Sequence, residues 1–338
     1  MKKIAFFILF ITFIFTGCNK ANYEPVSKTD FYMGTVVTIK IYNKASDEIF
    51  NKAFDRIKDL ENKFSINIEG TETLSISKNI GSFVKVSDDT FNVIQKGLYY
   101  SDLSGGRFDI TIGPLVKIWG IGTDNAKIPN KDEIEWAKNL VNYKNVQTDE
   151  SSKSVKLTGD EMLIDLGGIA KGYAADVLAE TLKENGIKSA IINLGGNVYA
   201  LGKKPDGSKY KIGIQTPFKA RGEILGNIEV SDMSVVTSGI YERYFEDNGK
   251  TYHHILNPFT GYPVDNDLLS VSIISKKSVD GDALSTTVFS LGLKDGMEFV
   301  KKLDGIEAIF VTKDKKIYMT DGIKDNFKLL DNQYSIAN

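Results

Sequence analysis

The chain has 338 residues, a net charge of −2 and 42% hydrophobic residues, which is enough apolar material for a full core and an ordinary charge for a globular protein. The near-neutral charge argues against nucleic-acid binding, because that binding needs a basic face. One cysteine and two histidines exclude an intrachain disulfide and a zinc site of several His or Cys ligands, so any bound metal would be held mainly by oxygen.

The N-terminus resembles a bacterial lipoprotein leader. Lys2 and Lys3 precede an apolar run of about a dozen residues, which is too short to span a bilayer comfortably and suits a signal peptide. The run ends in Phe15-Thr16-Gly17-Cys18, at the only cysteine. We therefore expect residues 1–17 to be a signal peptide, Cys18 to carry lipid and residues 18–29 to be a polar tether. This places the protein on the extracytoplasmic face of a bacterial cell membrane. An ordinary cleaved signal, or a short anchor with a chance cysteine, is the alternative.

Beyond the tether, the predicted strands and helices follow no regular βαβ rhythm. Alternating β-branched stretches predict strands, and apolar residues at helical spacing predict helices. The predicted strands cover residues 31–42, 190–193, 197–201, 209–215, 224–231, 251–256 and 268–275, with a hairpin over 306–319. The predicted helices cover residues 46–64, 88–103 (capped by Asp88), 131–141, 169–184, 280–291 and 295–303. This mixture predicts an α+β fold, with a single compact domain of mixed sheets and helices over residues 30–330 and a tail over 331–338. A two-lobed arrangement stays open.

Two glycine-rich segments are candidate phosphate-binding loops. The segment Gly167-Gly168-Ile169-Ala170-Lys171-Gly172 lacks the Gly-Lys-Ser/Thr ending of a phosphate loop, and Gly120-Ile121-Gly122 lacks the third glycine of a dinucleotide fingerprint. A tight turn at a helix start is the simpler interpretation of each. Even so, a glycine turn that feeds a helix leaves backbone N–H groups unpaired, and these suit a diphosphate.

Asp282 and Thr286 lie four residues apart near the start of a predicted helix, which places a carboxylate and a hydroxyl on one face. Both are hard oxygen ligands suited to Mg²⁺ that also contacts a phosphate. A capping aspartate and a threonine bonded back to its own helix are the alternative.

Two further segments are placed for contact with a ligand. His254 precedes a Pro/Gly turn of the kind that often lines a site, although a lone histidine on a strand is more often a structural hydrogen-bonding residue. Arg107-Phe108-Asp109 lies in a loop just past Gly105-Gly106.

Together these segments resemble the ApbE-type FAD:protein FMN transferases. The matching motifs span nearly the whole mature chain, and seven weak motifs in the same order are specific as a set. They are Met33-Gly34-Thr35, Gly106 to Leu115 with Trp119-Gly120, Asp165 to Asp176, Asn193 to Asn197, Thr237 to Gly239, His254 to Gly261, and Asp282 to Thr286.

The resemblance implies an ApbE-like fold and Mg²⁺-dependent transfer of FMN from FAD to a Ser or Thr hydroxyl of an acceptor protein, with release of AMP. Asp282, Thr286 and the backbone carbonyl of Gly168 would bind Mg²⁺. His254 and Asp282 are the implied catalytic residues, His254 as a base or charge stabiliser because an imidazole titrates near neutrality. The implied contacts to FAD are Met33, Arg107, Phe108, Asp109, Asp165, Lys171, Ile255, Leu256 and Ser285.

One segment departs from the family pattern. Many members carry a tyrosine that packs on the flavin ring where this chain has Ile66 and Asn67. An FAD pyrophosphatase, in which water replaces the protein hydroxyl, is therefore an alternative function, and a non-enzymatic flavin-binding lipoprotein is a third. The pair Asp282 and Thr286 favours catalysis over binding alone. The chain contains no Ser/Thr-Gly-Ala-Ser/Thr acceptor sequence, so its partner would be a separate protein, most naturally a membrane-associated redox protein.

Overall fold

The computed structural model of the protein describes residues 24–337, and the predicted signal peptide and Cys18 lie outside this range. The strands are β1 (Val26–Tyr32), β2 (Thr35–Ile41), β3 (Val84–Lys85), β4 (Val146–Asp149), β5 (Ser154–Leu157), β6 (Ala190–Leu194), β7 (Asn197–Leu201), β8 (Tyr210–Gln215), β9 (Ile224–Val230), β10 (Met233–Gly239), β11 (Tyr244–Asp247), β12 (Lys250–His253), β13 (Leu268–Ser275), β14 (Glu307–Thr312), β15 (Lys316–Met319), β16 (Phe327–Leu329) and β17 (Ser335–Ile336). The helices are α1 (Asp47–Phe64), α2 (Glu72–Lys78), α3 (Asp88–Leu103), α4 (Gly113–Trp119), α5 (Lys131–Asn139), α6 (Ala170–Glu184) and α7 (Ser278–Val300).

A nine-stranded sheet with the order β1-β2-β6-β7-β10-β13-β14-β15-β17 forms the centre of the fold. Its strands alternate between two hydrophobic cores, as the two-residue period of a strand requires. On β13, for example, Val271 and Ile273 belong to the larger core, which helices α1, α3, α6 and α7 cover. Ile274 belongs to the smaller core, which a three-stranded sheet of order β16-β9-β8 covers. The predicted α+β class is confirmed.

A third, small core lies beneath α4, α5 and the β11–β12 hairpin. Trp119 is fully buried there, and its indole N–H donates to the carbonyl oxygen of Gly261 at 2.8 Å. Because a buried indole N–H needs a partner, this bond ties the end of α4 to the turn that follows His254.

Several predicted boundaries were wrong. The predicted strand 31–42 is two strands, because Met33 and Gly34 form a tight turn with φ of 53° and 68°. The cap of α3 is Ser87, whose hydroxyl accepts from the Thr90 N–H, and not Asp88. By contrast, the predicted break between the helices 280–291 and 295–303 is confirmed, because Gly292, with φ of 78° and ψ of −177°, interrupts the helical backbone inside α7.

The folded part is longer at both ends than the predicted 30–330. Strand β1 begins at Val26 and pairs along its whole length with β2, so the last residues of the predicted tether are part of the sheet. At the other end, β17 pairs in parallel with β15, so the predicted tail also joins the sheet. The structure also contains elements that were not predicted, namely α2, α4, β3, β4, β5, β10, β11, β16 and β17.

Helices α6 and α7 approach closely at Gly172. A Cβ at Gly172 would overlap the carbonyl oxygen of Ser278 and lie 2.7 Å from the Cβ of Asp282. Only a residue without a side chain allows the two backbones to meet here. This contact brings the first turn of α7 against the first turn of α6.

Replacing Gly172 with alanine should therefore destabilise the fold. The gain in helix propensity is about 1 kcal/mol, but the overlap with a backbone carbonyl cannot be relieved by rotating a side chain. We expect the free energy of unfolding to fall by about 2 kcal/mol, as measured by denaturant titration. Glu180→Ala, at an exposed position of the same helix, is the control and should stay within about 0.5 kcal/mol of wild type. A Gly172→Ala protein as stable as this control would contradict the proposed close packing.

Candidate active site

The predicted site residues meet where α6 and α7 begin, beside turns of the central sheet. The turn at Met33 and Gly34 joins β1 to β2, and the N–H of Gly195, in the β6–β7 turn, donates to the carbonyl of Val36 at 3.0 Å. The guanidinium of Arg243 lies 3.7 Å from the position of a Cβ on Gly34. The motifs that were far apart in sequence thus converge at one end of the sheet.

Three residues predicted to bind metal lie together at the helix starts. The Asp282 side chain is only 6% exposed, and one of its oxygens accepts the Gly172 N–H at 2.8 Å while the other lies 3.6 Å from Lys171 Nζ. A Cβ on Gly168 would lie 3.8 Å from Thr286 Oγ1, so the hydroxyl faces the backbone of Gly168. Asp282 bonds across to α6, and this bond is not the helix cap of the alternative interpretation.

A small network of hydroxyl groups connects β10 to the part of α7 that carries Asp282 and Thr286. The hydroxyl of Ser238, on β10, lies 2.8 Å from that of Ser285 and 3.4 Å from that of Thr286. Ser285 is fully buried and donates to the carbonyl of Asp282 at 2.9 Å. Its hydroxyl therefore orients α7, and Thr286 and Ser238 are the more accessible hydroxyls.

Asp165 lies in the loop before α6, among several cations. Its Oδ1 accepts the Gly167 N–H at 2.7 Å. Burial raises the pKa of the Asp165 carboxyl, although the Gly167 bond and the charges of Lys117, Lys171 and Arg243 oppose the shift. The region around Asp165, Asp282 and Thr286, called the cleft below, therefore combines a buried carboxyl with three nearby cations, and cations of this kind would attract a diphosphate.

The three residues of the segment Arg107-Phe108-Asp109 have different surroundings, and two of them are buried. The Asp109 carboxylate is buried and accepts from the N–H and hydroxyl of Thr111 at 2.7 and 2.6 Å and from the N–H of Tyr143 at 3.0 Å. Burial raises its pKa against these hydrogen bonds. Phe108 is buried and lies 3.0 Å from the position of a Cβ on Gly168. Only Arg107, whose guanidinium lies 5.9 Å from the centre of the Phe259 ring, remains half-exposed.

Ile255 and Leu256, predicted to contact FAD, have side chains that are buried in the hydrophobic cores. Their side chains are 3% and 7% exposed and belong to the larger and the small core, respectively. These two residues can therefore present only backbone groups to a ligand. They fix the position of His254, which immediately precedes them.

His254 is oriented by the backbone of Arg243. Its own N–H donates to the Arg243 carbonyl at 3.1 Å, and its ring Nδ1 lies 3.2 Å from the same oxygen. A carbonyl oxygen only accepts, so Nδ1 carries the proton and Nε2 keeps a free lone pair. Burial and the nearby charge of Arg243 lower the pKa of His254 to about 3. The expectation that this imidazole titrates near neutrality was therefore wrong for the free protein.

Two cations of the cleft were not singled out from the sequence. The side chain of Arg243 packs against Gly122, with its Cδ 3.0 Å from a Cβ position there. Lys117 donates to the carbonyl of Ile66 and to the side-chain oxygen of Asn67 at 3.0 and 2.9 Å. Neither residue belongs to a glycine turn or to a spacing typical of ligands, and only the fold brings them to Asp165.

The described residues also limit the kinds of site that can exist. Within residues 24–337, no three His, Cys, Asp or Glu side chains are grouped so that they could hold a metal ion. A metal in the described part would thus have at most two His, Cys, Asp or Glu ligands and would depend for the rest on hydroxyl, carbonyl and ligand oxygens. No helix in this range is long and apolar enough to cross a membrane.

An α+β domain with an oxygen-lined, cation-flanked cleft between two helix starts has the features of a diphosphate-binding enzyme. The sequence model of the ApbE family matches residues 33–310, and the chain belongs to this family. It is 37% identical over 305 residues to an FAD:protein FMN transferase of Klebsiella pneumoniae (strain 342), covering 90% of this chain and 94% of the relative. It is 31% identical over 333 residues to an FAD:protein FMN transferase of Treponema pallidum, covering 93% and 92%. The crystal structure of the ApbE protein from Thermotoga maritima superposes with a TM-score of 0.82 at 31% identity, covering 90% of this chain and 99% of that one.

The two histidines provide a test of the electrostatics of this region. Burial is the main cause that lowers the pKa of His253 to about 4 and that of His254 to about 3. We expect neither ring to titrate between about pH 5 and 8 in the free protein, as followed by ¹⁵N NMR of the imidazoles with His253→Gln for assignment. Because both pKa values lie below that of the unfolded chain, the free energy of unfolding should fall as the pH drops below about 6.5. A His254 ring that titrates near pH 6.5 would contradict this account of its environment.

Proposed function

We propose that this protein transfers FMN from FAD to a serine or threonine hydroxyl of an acceptor protein and releases AMP. Its membership of a family whose relatives are FAD:protein FMN transferases supports this function. The observation that carries the proposal is the convergence of Asp282, Thr286 and Gly168 beside the cations Lys171 and Arg243. A protein that only bound flavin would not need this set of hard oxygen ligands.

The residues fit Mg²⁺ as the metal. Asp282 contributes one anionic oxygen, Thr286 a neutral hydroxyl and Gly168 a backbone carbonyl, and Mg²⁺ prefers such a small set of oxygen ligands together with substrate phosphate. When bound, the ion would neutralise charge on the diphosphate oxygens and on the leaving AMP. The chemistry of the ligands therefore favours Mg²⁺ or Mn²⁺ over softer ions.

The protein's own residues account for the rest of the reaction. Lys171 and Arg243 would bind the diphosphate, and the Met33–Gly34 turn and Arg107 would contact other parts of FAD. The acceptor hydroxyl attacks the phosphorus of the FMN half, a P–O bond to the AMP half breaks, and the hydroxyl proton moves to Nε2 of His254. His254 is neutral in the free protein, so its Nε2 lone pair is available, and the negative charge of a bound diphosphate would raise the pKa of the imidazole and make it a stronger base.

Hydrolysis of FAD by water is the second candidate function. The specific observation in its favour is Asn67, which stands where the family resemblance implies a stacking tyrosine and is bonded to Lys117. Weaker hold on the flavin ring would shorten the time during which an acceptor can react. Both functions use the same cleft, and they differ only in the nucleophile.

We further propose that the protein is a lipoprotein attached through Cys18, with residues 1–17 removed. A polar tether that leads directly into β1 would hold the domain close to the membrane surface. Its partner would then be an extracytoplasmic, membrane-associated redox protein that carries the acceptor hydroxyl.

The role of Asp282 is tested by a change that removes charge and little volume. Asp282→Asn should lower turnover by a factor of about 10² or more, because the only anionic metal ligand is lost. FAD affinity should change far less, since Met33, Arg107 and Arg243 are unaffected. AMP release and FMN attachment to an acceptor peptide measure turnover, and fluorescence measures FAD binding. Asp295→Asn, at an exposed position of the helical segment beyond Gly292, is the control. Near-normal turnover of Asp282→Asn would mean that the metal site is misplaced.

Metal dependence gives an independent test of the same ligands. Turnover should stop in excess EDTA and return with Mg²⁺ or Mn²⁺. Thr286→Val removes the hydroxyl and should raise the Mg²⁺ concentration needed for half-maximal turnover by about tenfold, whereas Thr286→Ser should stay close to wild type. Persistent turnover in protein shown to be free of metal would rule out this mechanism.

Membrane attachment is tested at Cys18. Lipoprotein processing adds more than one acyl chain, which makes attachment stable. Cys18→Ser should release the protein from the membrane fraction and leave FMN transfer in vitro unchanged, as judged by fractionation and by the transfer assay. If the variant stays fully membrane-bound, the apolar N-terminal run is an uncleaved anchor.

A further inference from the structure

Helices α6 and α7 are joined by a second polar contact, one turn beyond the Gly172 crossing. The two carboxylate oxygens of Asp176, on α6, accept the backbone N–H groups of Ser278 and Val279 at 2.8 and 2.9 Å. These are the first two residues of α7. Asp176 therefore binds the start of the helix that carries Asp282 and Thr286.

This contact supplies what the sequence of α7 itself lacks. The first N–H groups of a helix have no partner within the helix, and the residue before α7, Lys277, provides no side-chain cap. A carboxylate from the neighbouring helix satisfies two of these donors and also interacts favourably with the positive end of the helix. The hydroxyl of Ser278 adds a bond to Asn197 Oδ1 at 2.6 Å, so the first turn of α7 is held from two sides.

We propose that Asp176 is a positioning residue, which fixes α7 lengthwise against α6 so that Asp282 and Thr286 face Gly168. Gly172 permits the two helices to approach, but a glycine contact alone does not prevent one helix from sliding along the other. The bidentate contact of Asp176 prevents this sliding. The inference rests on the proposed metal site only for its effect on turnover, because the contact between the helices exists without the metal.

The carboxyl of Asp176 is buried beside charges of both signs. Burial raises the pKa of its carboxyl to about 6, the bonds from Val279 and Ser278 and the charge of Lys277 oppose the shift, and the charge of Asp280 adds to it. Asp280 is itself paired with Lys96 of α3 at 2.9 Å, and Tyr199 of β7 faces Asp176 from the sheet.

The raised pKa has a defined consequence for stability. The folded protein binds more protons at Asp176 than the unfolded chain does between about pH 4 and 6, so the free energy of unfolding falls as the pH rises through this window. At neutral pH the ionised carboxylate is therefore less favourable to folding than the protonated form, and its bonds to Ser278 and Val279 offset part of the cost of burying the charge.

The test compares Asp176→Asn with wild type at neutral pH. The amide can accept only one of the two N–H groups, so the start of α7 should loosen. In the metal-free protein, hydrogen exchange of residues 278–282 should become at least about tenfold faster. The Mg²⁺ concentration for half-maximal AMP release should rise by about tenfold, while FAD affinity stays within about twofold. Asp149→Asn removes a carboxylate that accepts a backbone N–H in the β4–β5 turn, and this control should change neither quantity.

The results for Asp176→Asn distinguish a positioning role of Asp176 from a purely structural role, and both from failure of the proposed function. A structural role predicts a lower midpoint of thermal unfolding with an unchanged Mg²⁺ requirement, and that result would overturn the inference. Unchanged exchange at residues 278–282 would also overturn it. If Asp176→Asn does not fold, Asp176→Glu decides the question, because it keeps both carboxylate oxygens but moves them by one methylene, so it too should raise the Mg²⁺ concentration for half-maximal AMP release, and an unchanged requirement would overturn the inference. If wild-type turnover needs no metal, the proposed metal site is wrong. The positioning role of Asp176 is then still tested by hydrogen exchange of residues 278–282 and by the rate of FAD turnover in Asp176→Asn.

Discussion

The hydrogen bond from the Gly172 N–H to the Asp282 carboxylate is the interaction on which the site depends. It joins the first turns of α6 and α7, and its 2.8 Å length is possible only because Gly172 has no side chain to separate the helices. The bond leaves the second carboxylate oxygen facing Lys171 and the cleft. A single backbone contact therefore sets the position of the one anionic group among the proposed metal ligands.

The electrostatics of the cleft follow from this geometry. Asp282 and Asp165 are desolvated carboxylates placed among Lys171, Lys117 and Arg243, so the cleft is neither an acidic metal cage nor a purely cationic anion site. A dianionic diphosphate together with a divalent cation would enter this region without changing its net charge. Burial, together with the charges of Arg243 and Lys171, keeps His254 neutral in the free protein, which preserves its Nε2 lone pair for a proton from the acceptor.

The sequence was informative where local chemistry decides structure. The apolar stripe of α1 and the alternation of β13 predicted both elements, and ordered motifs predicted the convergence of Asp282 with Gly168. The sequence did not predict structural features that its alternation of residue types does not reveal. Residues 31–42 alternate without a break, and only the backbone at Met33 and Gly34 shows that they form a hairpin.

Burial explains the remaining differences at the site. Asp109 and Ser285 belong to family motifs, but their polar groups are used within the protein, which no spacing in the sequence indicates. Arg243 joins the cleft through contacts with Gly34 and Gly122, which are more than a hundred residues away in the chain. Long-range packing of this kind is not encoded in any short pattern.

The most direct test of the account is the fate of the FMN half of FAD. The protein would be incubated with FAD, Mg²⁺ and a peptide that contains a Ser/Thr-Gly-Ala-Ser/Thr sequence, and the peptide would be analysed by intact mass while AMP is quantified. The account predicts that the peptide gains one FMN for each AMP released, and that AMP release slows sharply when the peptide is left out. Release of AMP and free FMN at the same rate with and without peptide, with no labelled peptide, would contradict it and would assign the cleft to FAD hydrolysis.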